Sequence, residues 1–560
     1  MNHDFVFRSR RSNVMATNGM VASSQPLATL AGVDILKSGG NAADAAVAVA
    51  AALTVVEPFS TGIGGDCFAL YWDAKVKKVF ALNGSGPASK KANIEDILDA
   101  GYVAFPLYSG HAVSVPGTVA GWDALLRRFG SMTMGDVLSP AINYALEGYP
   151  LTEWIGAIWD SMPNKLLRKN KKENLPKHLQ FTGPEQPSGE EFLVNSRPPE
   201  IGSLVKLPTL GKTLQRLRDE GKAYFYTGEF ARKLCNYVQK YGGWLEPSDL
   251  SEFDVEWNDP IFADYHGVRL YECPPNGQGL AAIIAARIAS EFDLRNADQN
   301  NRAHILIESM RLGFVEALSW VSDPKLQDIP INHILSDDYI KSRRGLIKMN
   351  STQTVLKTGI QAKGGDTVYL SVIDGEGNAC SFINSLYMGG GTGLVVPGTG
   401  VLLQNRAALF SLDPDHPNAL RGGARPYHTI IPGMLTKDGE LMASFGIMGG
   451  FMQPQAHLQI LSNIVDLGYN PQQALDMPRF CLNVVEGGLG ANDPGGEVYI
   501  EPEFGKDLRE ELRIRGHKLT ELNGRERMMF GGGQIIQRNP QTGILIAGSD
   551  PRKDGCAIGY

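Results

Sequence analysis

The sequence predicts an α+β fold of stacked layers, on three observations. Strand-like runs come in adjacent pairs joined by tight turns. Helical runs with apolar faces stand beside those pairs instead of alternating singly with strands, which argues against a parallel doubly wound sheet. Glycine is in excess, 64 of 560 residues, against an average of about 7%. It carries no three-residue period and no proline excess, so collagen-like and low-complexity readings fail. The glycines must sit in turns, close backbone approaches or a site.

The elements follow in chain order. The run Ala45 to Val56 is apolar apart from Thr54 and reads as a buried helix stopped at Glu57-Pro58. It is too short to span a bilayer. GIGGDCFALYWD and KVKKVFALN read as a hairpin turning near Asp73 to Lys77. From Gly117 to about Leu318 the pattern is mostly helical, clearest in VAGWDALLRRFG, VLSPAINYALEG and AHILIESMRLGFVEAL. Within it, Lys165 to Lys177 is basic and free of aromatics, and reads as a solvated loop. Residues 350–366 are polar and irregular, an exposed connector.

Strands then dominate. TVYLSVID, a GEGN turn and ACSFINSLY make a hairpin, and HTIIPGMLT and ELMASFGI flank a Lys437-Asp438-Gly439 turn. A helix, QPQAHLQILSNIVDLG, follows Gly449-Gly450. The tail adds a helix, KDLREELRIRG, and strands GQIIQRN and GILIAGSD. Length alone allows three or four domains; no internal repeat is evident.

Several function classes fall away. Net charge is −7 with only 20% charged residues, which argues against nucleic acid as a partner. Six scattered cysteines without a CxxC pair make neither a disulfide framework nor a zinc cage, and no histidines stand at metal-ligand spacing, so no metal or cofactor is expected. The N-terminus lacks the apolar segment of a signal peptide. No membrane partner is expected, and the reading is a cytoplasmic protein. GIGGD (62–66), GGG (389–391) and GGG (531–533) fit no nucleotide-binding motif, and there is no GxSxG elbow.

What remains is KGGDTVYLSVID, where Thr367 begins a strand directly after a glycine-containing connector. A threonine hydroxyl is a weak nucleophile until a base takes its proton. Cutting the chain before the threonine turns its own α-amine into that base. Gly364-Gly365 would supply unusual backbone angles for such a cut. Threonine at a strand start is also commonplace, and the residues by themselves leave both readings open.

From GGDTVYLSVIDGEGNACSFINSLY through NRAALFSLDP, RPYHTIIPGM and FGIMGG, the chain closely resembles the gamma-glutamyltransferase family of N-terminal-nucleophile hydrolases. GGNAADAAVAVAAALTVVEPFSTGIGGDCF, VPGTVAGWDALLRRFG and SDPRKDGCAIGY carry the resemblance over essentially the whole chain. It implies a four-layer αββα sandwich and self-cleavage between Asp366 and Thr367, into a large region (1–366) and a small one (367–560) that together form one αββα unit. By the same resemblance Thr367 is the nucleophile and its freed amine the general base. Ser385 matches a hydroxyl position that hydrogen-bonds the nucleophile, and the hairpin register places residues 385 to 387 opposite Thr367. Gly449 and Gly450 match the pair whose amides form the oxyanion hole; glycine suits that task because no side chain intrudes. The plainer readings are a solvent-facing strand serine and a simple strand–helix turn.

The substrate positions depart from the family pattern. An arginine expected before the SGPA-like segment is Asn83, and an asparagine two residues past Ser385 is Tyr387. The glutamine of the NNQ-like motif is Arg406, and the acidic residue after that motif is Leu409. The serine pair after Arg-Pro is His428 and Thr429. Losing charge-assisted contacts to a glutamyl α-amine and α-carboxylate costs roughly several kcal/mol. Arg406 is a new cation, suited either to a substrate carboxylate or to a structural ion pair. The segment after Phe410 is shorter than the lid typical of glutamyl-specific members, implying a more open site. The expectation is a self-processing amidohydrolase or acyltransferase acting on a small non-standard amide, its fragments assembled as a heterodimer or a dimer of heterodimers. The alternatives are a true gamma-glutamyltransferase or glutathione hydrolase, and an unprocessed non-catalytic binding scaffold.

Overall fold

The computed structural model describes residues 11–169, 175–353, 366–484 and 496–560. Two seven-stranded sheets organise it. In chain order their strands are β1 (Val14–Ala16), β2 (Met20–Ser23), β3 (Asp66–Asp73), β4 (Lys78–Gly84), β5 (Glu256–Asn258), β6 (Ile261–Tyr265) and β7 (Val268–Glu272). After these come β8 (Asp366–Ile373), β9 (Ala379–Tyr387), β10 (Gly433–Lys437), β11 (Glu440–Met448), β12 (Gly532–Arg538), β13 (Leu545–Ser549) and β14 (Cys556–Gly559). One sheet runs β1-β13-β12-β11-β10-β7-β6, the other β14-β2-β8-β9-β3-β4-β5, and every pairing within them is antiparallel. Strands from before and after residue 366 are interleaved in both sheets.

The sheets pack face to face. Ser371 Oγ on β8 donates to Ser444 Oγ on β11 at 2.6 Å. Around that bond lies an apolar core that includes Phe68, Tyr369, Ile383, Met434 and Ile536. Helices α1 (Pro26–Lys37) and α2 (Ala42–Val56) cover the outer face of the second sheet. Helices α3 (Gly279–Ala289), α4 (Gln299–Trp320) and α5 (Met452–Val465) cover the first. The result is the expected αββα order of layers.

Helix α2 shows why the sequence folds this way. All fifteen of its residues are buried, so an amphipathic stripe is neither present nor needed. Asn41 and Asp44 close a reciprocal capping box at its start, and Asp374 accepts from the Ala42 N–H at 3.0 Å. Pro58 bars continuation past Glu57. Burying each valine or leucine contributes roughly 1.5–3 kcal/mol before chain entropy is charged against it.

Four expectations need correction or placing. The region from Gly117 to Leu318 is not helical throughout: β6 and β7 form a hairpin whose alternating buried and exposed residues belong to a half-covered edge. The strand expected from His428 begins only at Gly433, because the preceding groups bond elsewhere; the Ile431 N–H, for one, goes to Gln453 Oε1 at 2.8 Å. The strand expected at GQIIQRN begins one residue earlier, at Gly532. Gly364-Gly365 lie outside the described residues.

The solvated-loop reading of the basic segment also fails for two of its residues. Lys165 donates to the Gly389 carbonyl. Arg168, only 2% exposed, donates to the carbonyls of Thr182 (2.7 Å), Thr392 (3.1 Å) and Tyr108, and its guanidinium lies over the Tyr241 ring at 4.7 Å. A planar cation with several donors can tie together loop carbonyls that nothing else satisfies. Arg168→Ala is therefore expected to cost about 3 kcal/mol, read as a lowered denaturant midpoint with an unchanged slope.

Candidate active site

The site is built where β8 begins. Asp366 pairs with Tyr387 and Val368 with Asn384, so three residues of β9 span what two of β8 span. This bulge sets Thr367 against Ser385 and Leu386, re-aiming its side chain as bulges do. Thr367 Oγ1 lies 3.1 Å from Ser385 Oγ, and Thr367 is 2% exposed. Ser385 Oγ also accepts from the Tyr387 N–H at 2.8 Å. Tyr387 has φ +78°, a conformation a bulky residue adopts only under constraint.

On the other side of β9, Ser385 pairs with Asp66 of β3. The preceding Gly65 could be nothing larger, since an added Cβ would lie 2.2 Å from the Ser385 carbonyl oxygen. Asp66 is the acid that sequence reasoning missed. Its Oδ1 accepts from Gln404 Nε2 (3.0 Å) and from the Gly86 N–H (3.3 Å), and its Oδ2 faces His428 Nε2 at 2.9 Å. The signal was present: a lone aspartate closing GIGGD, in a sequence that places Arg406 and His428 nearby without an obvious counter-charge.

His428 is buried, with its Nε2–H donating to Asp66 and Nδ1 accepting from the Ile430 N–H at 3.4 Å. Burial, reinforced by the Arg406 charge and only partly opposed by Asp66, holds its pKa down at about 4. The ring is neutral near pH 7. Arg406, also fully buried, stacks over the Tyr387 ring at 4.8 Å. Its Nη1 donates to Thr429 Oγ1 at 2.8 Å, while its Nε stands 3.6 Å from Asp66 Oδ2. Burial lowers its pKa to about 10, so it stays charged.

Asn83 is occupied within the frame. It donates to Asn276 Oδ1 at 2.9 Å and accepts from the Ser85 N–H and hydroxyl. Leu409, at the position of the family's acid, is buried. Gly449 and Gly450 link β11 to α5 with φ +130° and +59°. Among the described residues, neither N–H takes part in a loop or cap hydrogen bond. The Gly450 carbonyl accepts from Gln278 Nε2 at 2.9 Å, and the same amide group donates to the Thr429 carbonyl. The structure thus links Thr367, Ser385, Tyr387, Arg406, His428, Thr429 and Gly450 through shared neighbours, with Asn83 one residue further out. Among the described residues no cluster of histidine, cysteine, aspartate and glutamate could hold a metal ion, and no helix is long and apolar enough to cross a membrane.

Two face-packed antiparallel sheets between helical layers are the fold of the N-terminal-nucleophile hydrolases, and the comparisons agree. A cephalosporin acylase from Bacillus halodurans superposes with a TM-score of 0.90 at 41% identity, covering 100% of this chain and 99% of that one. The chain belongs to the gamma-glutamyltranspeptidase family, whose profile matches residues 28–560, and is a gamma-glutamyltransferase-like hydrolase. It is 33% identical over 550 residues to a glutathione hydrolase-like proenzyme, YwrD, of Bacillus subtilis, covering 98% of this chain and 99% of that one. It is 30% identical over 556 residues to an oxamate amidohydrolase proenzyme of Klebsiella pneumoniae, covering 98% and 100%.

Proposed function

We propose that the chain cuts itself between Asp366 and Thr367 and then cleaves small amides other than gamma-glutamyl compounds, with Thr367 as nucleophile. The observation that carries this is the pair of hydroxyls 3.1 Å apart at the bulge that opens β8. In the cut enzyme the Thr367 α-amine takes the proton from Oγ1 as that oxygen attacks the amide carbonyl, and the Ser385 hydroxyl holds Oγ1 in place. The Gly449 and Gly450 N–H groups receive the developing oxyanion. Collapse of the tetrahedral intermediate breaks the C–N bond, and the protonated α-amine gives its proton to the leaving amine. Water or another amine then attacks the ester and releases the acid or a new amide.

The pocket residues support a substrate other than a glutamyl group. Leu409 offers a substrate α-amine no charge, Asn83 is committed to Asn276 and Ser85, and both oxygens of Asp66 are already engaged. The oxamate amidohydrolase and cephalosporin acylase among the similar proteins fit the same reading. The proposal includes the division into residues 1–366 and 367–560, a heterodimer or dimer of heterodimers of those fragments, and a cytoplasmic setting.

The test has two arms. Purified protein should run as two fragments on a denaturing gel, the smaller beginning at Thr367. It should hydrolyse members of a panel of simple amides faster than a gamma-glutamyl anilide. A chain that stays whole after long incubation refutes the catalytic reading, and faster glutamyl turnover refutes the substrate reading.

A further inference from the structure

Two consecutive glycines are the loosest backbone a chain can offer, whereas an oxyanion site needs donors fixed before the reaction begins. Gly449 and Gly450, with φ +130° and +59°, must therefore be held by what surrounds them. Part of the restraint is local: the Gly449 carbonyl accepts from the Met452 N–H at 3.0 Å. The C=O and N–H of a trans peptide point opposite ways, so this bond turns the Gly450 N–H away from α5. The Gly450 carbonyl is held in turn by the Gln453 N–H at 3.2 Å and by Gln278 Nε2 at 2.9 Å.

Gln278 stands at the N-cap of α3 and is fully buried. An N-cap side chain ordinarily serves its own helix, but this one makes no cap hydrogen bond. It reaches two other segments instead. Its Nε2 donates to the carbonyls of Gly450 and Thr429, and its Oε1 accepts from the Tyr427 hydroxyl at 3.3 Å. Two carbonyls can be met only by the NH2 end, which fixes the sense of the amide. The Gln278 backbone is pinned as well: its N–H donates to the His428 carbonyl at 2.8 Å, and its carbonyl accepts from the Ala281 N–H at 2.9 Å. Tyr427 holds the same turn from a second side, its ring stacked on Phe451, the residue after Gly450, with centroids 5.8 Å apart.

We infer that Gln278 is the positioning residue of the oxyanion turn: it ties the Gly450 carbonyl to the 427–429 segment and so presets the direction of the Gly449 and Gly450 N–H groups. This rests on the amide-cleavage reading above, with Thr367 as nucleophile. In that role Gln278 acts through the backbone. Its loss slows the step in which negative charge develops on the substrate carbonyl and leaves ground-state binding nearly unchanged.

The experiment measures kcat and KM on cut protein, with the amide of the panel that the wild type hydrolyses fastest. Gln278→Met keeps the length of the side chain and removes its donor. It should lower kcat about 10–100-fold, less than the loss of an oxyanion donor itself, with KM within about threefold of the wild type. Gln278→Glu supplies a donor only while its carboxyl is protonated, the form that burial against two carbonyls favours at low pH. At about pH 5.5 it should exceed Gln278→Met in kcat about tenfold, and its ratio to the wild type should fall toward about pH 8.5 as the carboxyl ionises. The groups around it keep their charge over that range: His428, with its pKa held at about 4, is neutral, Arg406, at about 10, is charged, and burial pushes the Tyr427 phenol up. The Thr367 amine is common to both enzymes and cancels in the ratio. Near-normal kcat in Gln278→Met, or a loss confined to KM, overturns the inference, as does a Gln278→Glu no better than Gln278→Met at the lower pH. If Gln278→Met does not fold or stays whole, the pH course of Gln278→Glu decides alone, and a ratio that does not fall overturns the inference. A wild type that stays whole or cleaves no amide refutes the nucleophile reading itself, and the role of Gln278 goes with it.

Discussion

Thr367→Ala is expected to remain a single chain and to hydrolyse no amide, with activity down by about four orders of magnitude or more, as when a nucleophile is removed. Both losses have one cause. The hydroxyl 3.1 Å from Ser385 is the group asked to attack first the chain's own preceding carbonyl and later the substrate. Folding should survive, since the substitution removes one hydroxyl and a methyl group from a strand whose remaining ladder is intact, a cost of about 1 kcal/mol. Intact-mass measurement reads the uncut chain, and thermal unfolding checks the fold. Thr367→Ser keeps the nucleophile and should cut slowly. Complete cleavage of the alanine variant would require another nucleophile and would end the assignment.

The second large effect is expected at the glycine pair. Gly449 has φ +130°, where a side chain is strained whatever the space around it, and an added Cβ would stand 3.2 Å from Gly531 Cα and 3.3 Å from Met452 Cβ. A valine there must push β11 away from the start of α5 or rotate the peptide that follows. Either change turns the N–H groups away from the place where the oxyanion forms. Losing one such donor lowers kcat by about 10²–10³-fold, and losing the geometry of both should exceed that. The backbone strain should cost about 1–3 kcal/mol of stability, so the protein remains folded but more easily melted. Gly449→Val that keeps near-normal kcat would show that these amides do not face the reaction.

The layered fold was legible because its signals are local. Paired strands with Asp-Gly and Gly-Asn turns, and an alanine-valine helix stopped by proline, state their structure within a few residues. Thr367 was legible only through resemblance to a family. Its distinguishing feature, the bulge that pits one residue of β8 against two of β9, depends on a register that no local pattern fixes. Arg168 was misjudged because charge is a good predictor of exposure until a loop needs its carbonyls satisfied. Asp66 escaped notice for the opposite reason: it closes a glycine run that already had an explanation in close packing. The hairpin from Ile261 to Glu272 was absorbed into a helical stretch although its residues alternate, since most of the sequence between Gly117 and Leu318 is helical and only the short β5 precedes it. In each case the missing information was a partner distant in sequence.

The interleaving of the two sheets has a consequence for the life of the molecule. Strands β2 and β3 come from before Thr367, β8 and β9 from after it, and they lie side by side in the order β2-β8-β9-β3. Cutting the chain before Thr367 therefore frees two ends without freeing a piece: every edge between the fragments is a ladder of backbone hydrogen bonds, and none can part alone. Before the cut, an unfolded molecule can find its way back as one chain, at a rate independent of how much protein surrounds it. Afterwards recovery is an encounter between two chains, second order and defeated by dilution. The uncut form should refold from denaturant and the cut form should not, so self-cleavage would convert a reversible fold into one that is assembled only once.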